Sequence, residues 1–181
     1  MRSSVKSWSR LVVVNAAILV IGRASDYFGP RGLLTAMGER VFYPAVTGKK
    51  AQVMGDPDQL HSYSYIPDIA NGLVTLADHD EADGSAWHLP NAPAITTREF
   101  INKIYAAAGN DPQIQAMSRV MVNVVGLFNG QVRELKEMLY EFEEPYVVDS
   151  SRFESAFGVH ATPLDEAIPA NVEWFLEHPR R

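Results

Sequence analysis

The strongest constraint on this chain is a β-branched run that passes directly into polar and aromatic residues and then a Gly-Pro break. Leu11 to Arg23 carries Val12, Val13, Val14, Ile18, Val20 and Ile21, side chains whose stiff χ1 suits extended backbone. An apolar stretch of this kind fits a strand covered on both faces, as in a parallel sheet. It ends in Arg23-Ala24-Ser25-Asp26-Tyr27-Phe28-Gly29-Pro30. Glycine tolerates positive φ and proline fixes φ, so a turn is forced at Gly29. Open α/β sheets bind ligands at the carboxyl ends of such strands, although the same string also reads as a plain strand-to-loop turn.

Downstream, strands and helices alternate, which places the chain in the mixed α/β class. A helix is expected from Gly32 to Tyr43, with Leu33, Leu34, Met37, Val41 and Phe42 along one side. Ala51–Met54 reads as a strand, and Gly55-Asp56-Pro57-Asp58 as a turn in which each residue favours turn geometry. His61–Ile66 is extended, and Pro67-Asp68 opens a helix with Ile69, Leu73, Val74 and Leu76 on one face. Ala86–Leu89 is another strand. Thr96 or Thr97 caps a helix through Ala108, with Glu99 favoured in its first turn. Met117 to Phe142 carries a long helical stripe best read as core packing. Tyr146–Val148 looks extended, Ser150-Ser151 starts a short helix ending at Gly158, and a last helix runs from Pro163 to Leu176.

Length and charge narrow the function. The 181 residues suffice for one domain, and a net charge of -6 without a basic run argues against nucleic acid. The absence of cysteine excludes disulfides, thiolate nucleophiles and Cys-ligated metals, and points to a reducing cytoplasm. Arg2, Lys6 and Arg10 before the apolar run, and Ala24-Ser25 after it, follow the order of a secretory signal, so a small exported protein is one alternative. Asn15 breaks the run, which is too short to span a bilayer, and the strand reading is preferred.

Searches for self-contained catalytic motifs fail. The sequence has no GxGxxG, GxxxxGK[ST] or GxSxG string, and no two histidines at i, i+4. Asp56 and Asp58 are a carboxylate pair, but their turn accounts for both. Two clusters remain as candidates. One is Ser25–Pro30; the other is His61-Ser62-Tyr63-Ser64-Tyr65, where alternation sends His61, Tyr63 and Tyr65 to one face as an aromatic wall.

Together these segments resemble the NAD-dependent epimerase/dehydratase family of extended short-chain dehydrogenases/reductases. RASDYFGP is similar to the strand and loop that follow that family's catalytic helix. GKKAQVMGDPDQLHSYSYIPDIANGLVTLAD, AWHLPNAPAITTREFINKIYAAAG and VVDSSRFESAFGVHATPLDEAIPANVEWFLEH resemble its later segments, in the same order. The resemblance runs from about Gly22 to the C-terminus. It divides the chain into an atypical segment, 1–21, and a substrate-binding part, 22–181. It implies a partial Rossmann-like fold, built from the last strands of the sheet, plus a small mixed α/β substrate-binding subdomain.

The same resemblance implies roles. Ser25, Asp26, Tyr27 and Phe28 would lie beside the nicotinamide of NAD or NADP if a cofactor-binding half is supplied. Tyr27, Gly29, Pro30, His61, Tyr63 and Tyr65 would line the pocket for a small, sugar-like substrate. Asp68 would cap its helix. The chain also departs from the family. His61 stands where nucleotide-sugar enzymes usually carry an arginine for the diphosphate, and histidine lacks the fixed charge and the fork. No tyrosine has a lysine four residues later, so the Tyr-x-x-x-Lys pair is missing along with the cofactor loop. The chain is therefore expected to be incompetent as an enzyme on its own, with no catalytic residue assigned. It should either self-associate or work with a missing N-terminal half. The rival reading is a non-enzymatic small-molecule-binding or assembly module.

Overall fold

The computed structural model describes residues 19–117 and 142–180. The long stripe between Met117 and Phe142, and most of the apolar run from Leu11, lie outside them. Eight short strands pair two by two: β1 (Ile21–Arg23), β2 (Asp26–Phe28), β3 (Ala51–Met54), β4 (Leu60–His61), β5 (Tyr63–Tyr65), β6 (Ala86–His88), β7 (Ile95–Thr96) and β8 (Ile114–Met117). β1 pairs with β6, β2 with β5 and β3 with β8, all parallel; β4 and β7 are antiparallel. Among the described residues five α-helices accompany them: α1 (Phe42–Val46), α2 (Ile66–Ala77), α3 (Thr97–Ala107), α4 (Ser151–Phe157) and α5 (Leu164–Glu177).

Two hydrophobic clusters hold these elements. The larger joins Phe28, Phe42, Phe100, Ile104, Ile168 and Phe175. Phe28 is its hinge: its ring meets Phe100 edge-on at 4.9 Å and Tyr65 at 5.3 Å, while Phe42 stacks on Phe175 at 5.0 Å. Aromatic pairs at such separations add to the gain from burying their area. The smaller cluster places Trp87 and Leu89 from the β6 strand and its exit against Leu76 and Phe153.

Local signals were good guides to element ends. Asp56 Oδ1 accepts from the backbone N–H of Asp58 at 3.0 Å, so this carboxylate closes the turn as expected. Asp58 instead takes Arg98 in a two-pronged pair at 2.6 and 2.9 Å. Thr96 caps α3 with a complete capping box: Thr96 Oγ1 accepts from Glu99 N–H at 3.1 Å, and Glu99 Oε2 accepts from Thr96 N–H at 2.9 Å. Gly158 ends α4 at φ 66°, the left-handed conformation that glycine adopts freely.

Four expectations need correction. The Gly32–Tyr43 helix is absent; residues 30–41 form consecutive turns, and only Phe42–Val46 is helical. A Cβ on Gly38 would lie 2.3 Å from the Leu33 carbonyl oxygen and 2.4 Å from that of Gly32, a crossing no α-helix makes. Leu34 is left exposed. In α2 the buried residues are Gly72, Thr75 and Leu76, whereas Leu73 and Val74 face outward. Asp68 does not cap α2: Oδ2 accepts from Thr162 N–H at 2.8 Å and Oδ1 from the Thr162 hydroxyl at 2.7 Å, fastening the approach to α5. The extended Tyr146–Val148 segment is reduced to a single bridge between Tyr146 and His61.

The capping box yields a stability test. Thr96→Ala should cost about 1 kcal/mol, read as a lower urea midpoint at unchanged slope, while Thr96→Ser should keep most of the stability. The Thr96 hydrogen bonds hold the Glu99 carboxyl below its usual range. A group depressed in the folded state stabilises above its unfolded pKa and loses that effect as pH falls. The gap between the parent and Thr96→Ala should therefore narrow on acidification.

Candidate functional site

The register of β2 on β5 decides which side chains of the RASDYFGP string are available. Asp26 lies opposite Tyr63, Tyr27 opposite Ser64 and Phe28 opposite Tyr65. Paired residues share a face and successive residues alternate, so Tyr27 points away from the face that carries Tyr63 and Tyr65. Phe28, wholly buried, belongs to the core. Ser25 is buried as well: its N–H donates to Ser64 Oγ at 3.0 Å and its hydroxyl donates to the Ser62 carbonyl. Of the four residues expected beside a nicotinamide, Asp26 is part-exposed and Tyr27 is 47% exposed.

Gly29 and Pro30 act through the backbone. Gly29 has φ 149°, and a Cβ there would stand 2.8 Å from Ile66 Cβ, so the turn needs glycine in order to pass α2.

The aromatic wall is not one continuous face. β4 ends at His61 and β5 begins at Tyr63, and the two pair with different strands. The His61 ring is buried, stacks on Phe142 at 5.9 Å and packs near Tyr63 and Tyr146. Its Nε2–H donates to Asp26 Oδ2 at 3.0 Å. His61 is therefore a support behind Asp26. The Tyr63 hydroxyl is sealed against Thr97 Oγ1 at 2.8 Å, and burial pushes its pKa well above the ordinary phenol value. Tyr65 is shifted upward too, first by burial and then by the Asp68 charge.

Asp26 and Tyr27 open onto a cleft of about 390 Å³. Leu33, Met37, Val53, Met54 and Phe142 supply apolar walls, and Thr35, Glu39, Arg40 and Gln52 further polar groups. His61, Tyr63 and Tyr65 are not on its walls. Expecting them to share a pocket with Tyr27 is corrected by their surroundings: His61 is buried behind Asp26, and the Tyr63 hydroxyl is turned to Thr97. The sequence reading missed Arg40, Gln52 and Met54. Gly32 and Gly38 were the available signal, because glycines at that spacing mark turns rather than a helix and would have brought Leu33–Arg40 round to Asp26. Among the described residues no group of three or more His, Cys, Asp or Glu could hold a metal. No described helix is long and apolar enough to cross a membrane.

A buried polar chain fixes the strand that carries the site. The Ser64 hydroxyl donates to Asn91 Oδ1, Asn91 Nδ2–H donates to the Leu89 carbonyl at 2.8 Å, and Asn91 N–H donates to Ser150 Oγ at 3.2 Å. Ser62 Oγ accepts from Val148 N–H at 3.0 Å. Asn91→Ala would strand the Ser64 hydroxyl and the Leu89 carbonyl. Each buried group left unpaired costs about 1–3 kcal/mol, so the variant should unfold at clearly lower urea while an exposed control, Leu34→Ala, should not.

No protein-family model and no curated protein matches the sequence. Solved structures do match. An epimerase from Methanothermobacter thermautotrophicus aligns with 88% of this chain at 16% identity and a TM-score of 0.68, over 43% of its own length. A UDP-glucuronic acid 4-epimerase from Bacillus cereus, solved with UDP-glucuronic acid and NAD, aligns with 88% at 16% identity and a TM-score of 0.61, over 46% of its length. A dTDP-glucose 4,6-dehydratase from Bacillus anthracis, solved with NAD, aligns with 86% at 15% identity and a TM-score of 0.62, over 44% of its length. The chain thus spans less than half of each, and within that span it has the partial Rossmann-like fold of NAD-dependent epimerases and dehydratases.

Proposed function

We propose that this chain is the C-terminal, substrate-binding part of an NAD(P)-dependent epimerase, dehydratase or reductase, working with a separate cofactor-binding half. The observation that carries the reading is the cleft beside Asp26 and Tyr27, which follow the carboxyl end of β1 in the parallel β1–β6 pair. It lies in a fold shared with enzymes solved in complex with NAD. The carboxyl end of parallel strands is where such folds place their ligands. In this role Tyr27 presents an aromatic edge to the reacting molecules, and Asp26, braced by His61, accepts from a hydroxyl and orients it. The residues assigned to the two ligands are then Asp26 and Tyr27, with Ser25, Phe28, Gly29, Pro30 and His61 holding them in place.

The residues present do not fit the whole cofactor. A dinucleotide pyrophosphate needs free N–H groups at a helix N-terminus behind a Gly-rich loop. Here α3 has its first N–H groups served by Thr96 and Glu99. α2 opens with Pro67 and Asp68, and α5 with Asp165 and Glu166, which repel an anion. The full chain should therefore show no calorimetric heat with NAD(H) or NADP(H). Micromolar binding by the chain alone would refute this division of labour.

A second observation supports a partner half. Ile21 in β1 and Leu73 and Val74 in α2 are exposed, and β1 pairs only with β6 among the described residues. An open strand edge beside apolar side chains invites pairing with another chain. Sedimentation should show concentration-dependent self-association that Ile21→Lys weakens. A monodisperse monomer, with slow amide exchange at Ile21–Arg23, would count against this surface as an interface.

A further inference from the structure

Resting on the reading of the Asp26–Tyr27 cleft as a substrate site, we infer that its ligand is a neutral, largely apolar molecule carrying a hydroxyl or carbonyl, and not a nucleotide sugar. The argument is electrostatic. Among the described residues three charged side chains line the cleft: Asp26, Glu39 and Arg40. Two are acidic, and one of these, Glu39, faces Arg180 at 3.6 Å. A diphosphate taken into such a place would meet the Arg40 guanidinium offset by the Asp26 carboxylate, beside a Glu39–Arg180 ion pair, and an anion removed from water without paired donors is strongly disfavoured.

The two other sources of anion stabilisation are spent or lacking. His61 has its Nε2–H committed to Asp26 and its ring buried beneath Phe142, so it offers nothing to a phosphate. The helix nearest in sequence to the cleft turns, α1, has five residues and too little dipole to help. What remains suits a different molecule. Leu33, Met37, Val53, Met54 and Phe142 give an apolar surface with an aromatic end, and Asp26, Gln52 and Arg40 can each hold one polar group. Apolar walls with a few placed polar groups are the usual make-up of small-molecule pockets.

Chemical-shift mapping on the full chain tests this, with acetophenone as the neutral probe and UDP as the nucleotide probe. Acetophenone should shift the Met37, Met54 and Val53 methyl signals, and UDP should bind there about tenfold or more weakly. UDP shifting the same methyls at equal or lower concentration, with loss of that effect in Arg40→Glu, would overturn the neutral-ligand inference and leave the cleft as the substrate site. Shifts confined elsewhere, or none with either probe, would overturn both the inference and the cleft assignment.

Discussion

The structure depends on a chain of buried hydroxyls and one amide that does the work longer strands would do in a larger sheet. Strands of two to four residues in pairs satisfy few backbone groups through their ladders, and an unpaired buried group is costly. Ser25, Ser62, Ser64, Asn91 and Ser150 supply the missing partners by joining β2, β5 and the segments after β6 and before α4. Serine is well suited because its single hydroxyl both donates and accepts in little space. Ser64 shows this: it accepts from Ser25 N–H and donates to Asn91. In consequence β2 is immobilised from its first residue, and the side chains that follow leave it in fixed directions.

Those directions separate neighbours. Within three residues of β2, Phe28 enters the aromatic core, Tyr27 turns outward and Asp26 is tied to a buried imidazole. The period of two in a strand makes this unavoidable. It explains why a contiguous string that looks like one ligand-contacting loop divides into scaffold and site. It also gives His61 a meaning apart from charge recognition: with Phe142 stacked on it and Asp26 bonded to it, the ring joins the cleft wall to its polar corner.

What was legible in the sequence was local. The Gly55-Asp56-Pro57-Asp58 turn, the Thr96–Glu99 capping box and the Gly158 helix stop each follow from residues within a few positions of one another. Most of what escaped depends on distant partners. Asp68 looks like a helix cap until Thr162, 94 residues later, claims both its oxygens. Ser64 and Asn91 carry no sign of each other in the chain. The β8 strand, Ile114–Met117, was not anticipated, since its apolar pattern is weak and its stability comes from β3 alongside. The sidedness of α2 was misread because Leu73 and Val74 are apolar yet exposed. In the Leu33–Arg40 segment, apolar spacing favoured a helix and the glycines favoured turns; the backbone crossing at Gly38 decided for the turns.

The tyrosines show what kind of chemistry the described residues can contribute. A tyrosine that exchanges protons near neutral pH needs its phenolate stabilised, usually by a cation beside it. Tyr63 and Tyr65 are pushed the other way by burial, and the Tyr63 hydroxyl is already engaged with Thr97. Tyr27 is open to the cleft, but the position four residues on is Arg31, in a turn at φ 68°, instead of a helical lysine. No tyrosine around the cleft thus stands in the setting of a proton donor. Among the described residues, those facing it supply shape, an apolar surface and a few orienting polar groups.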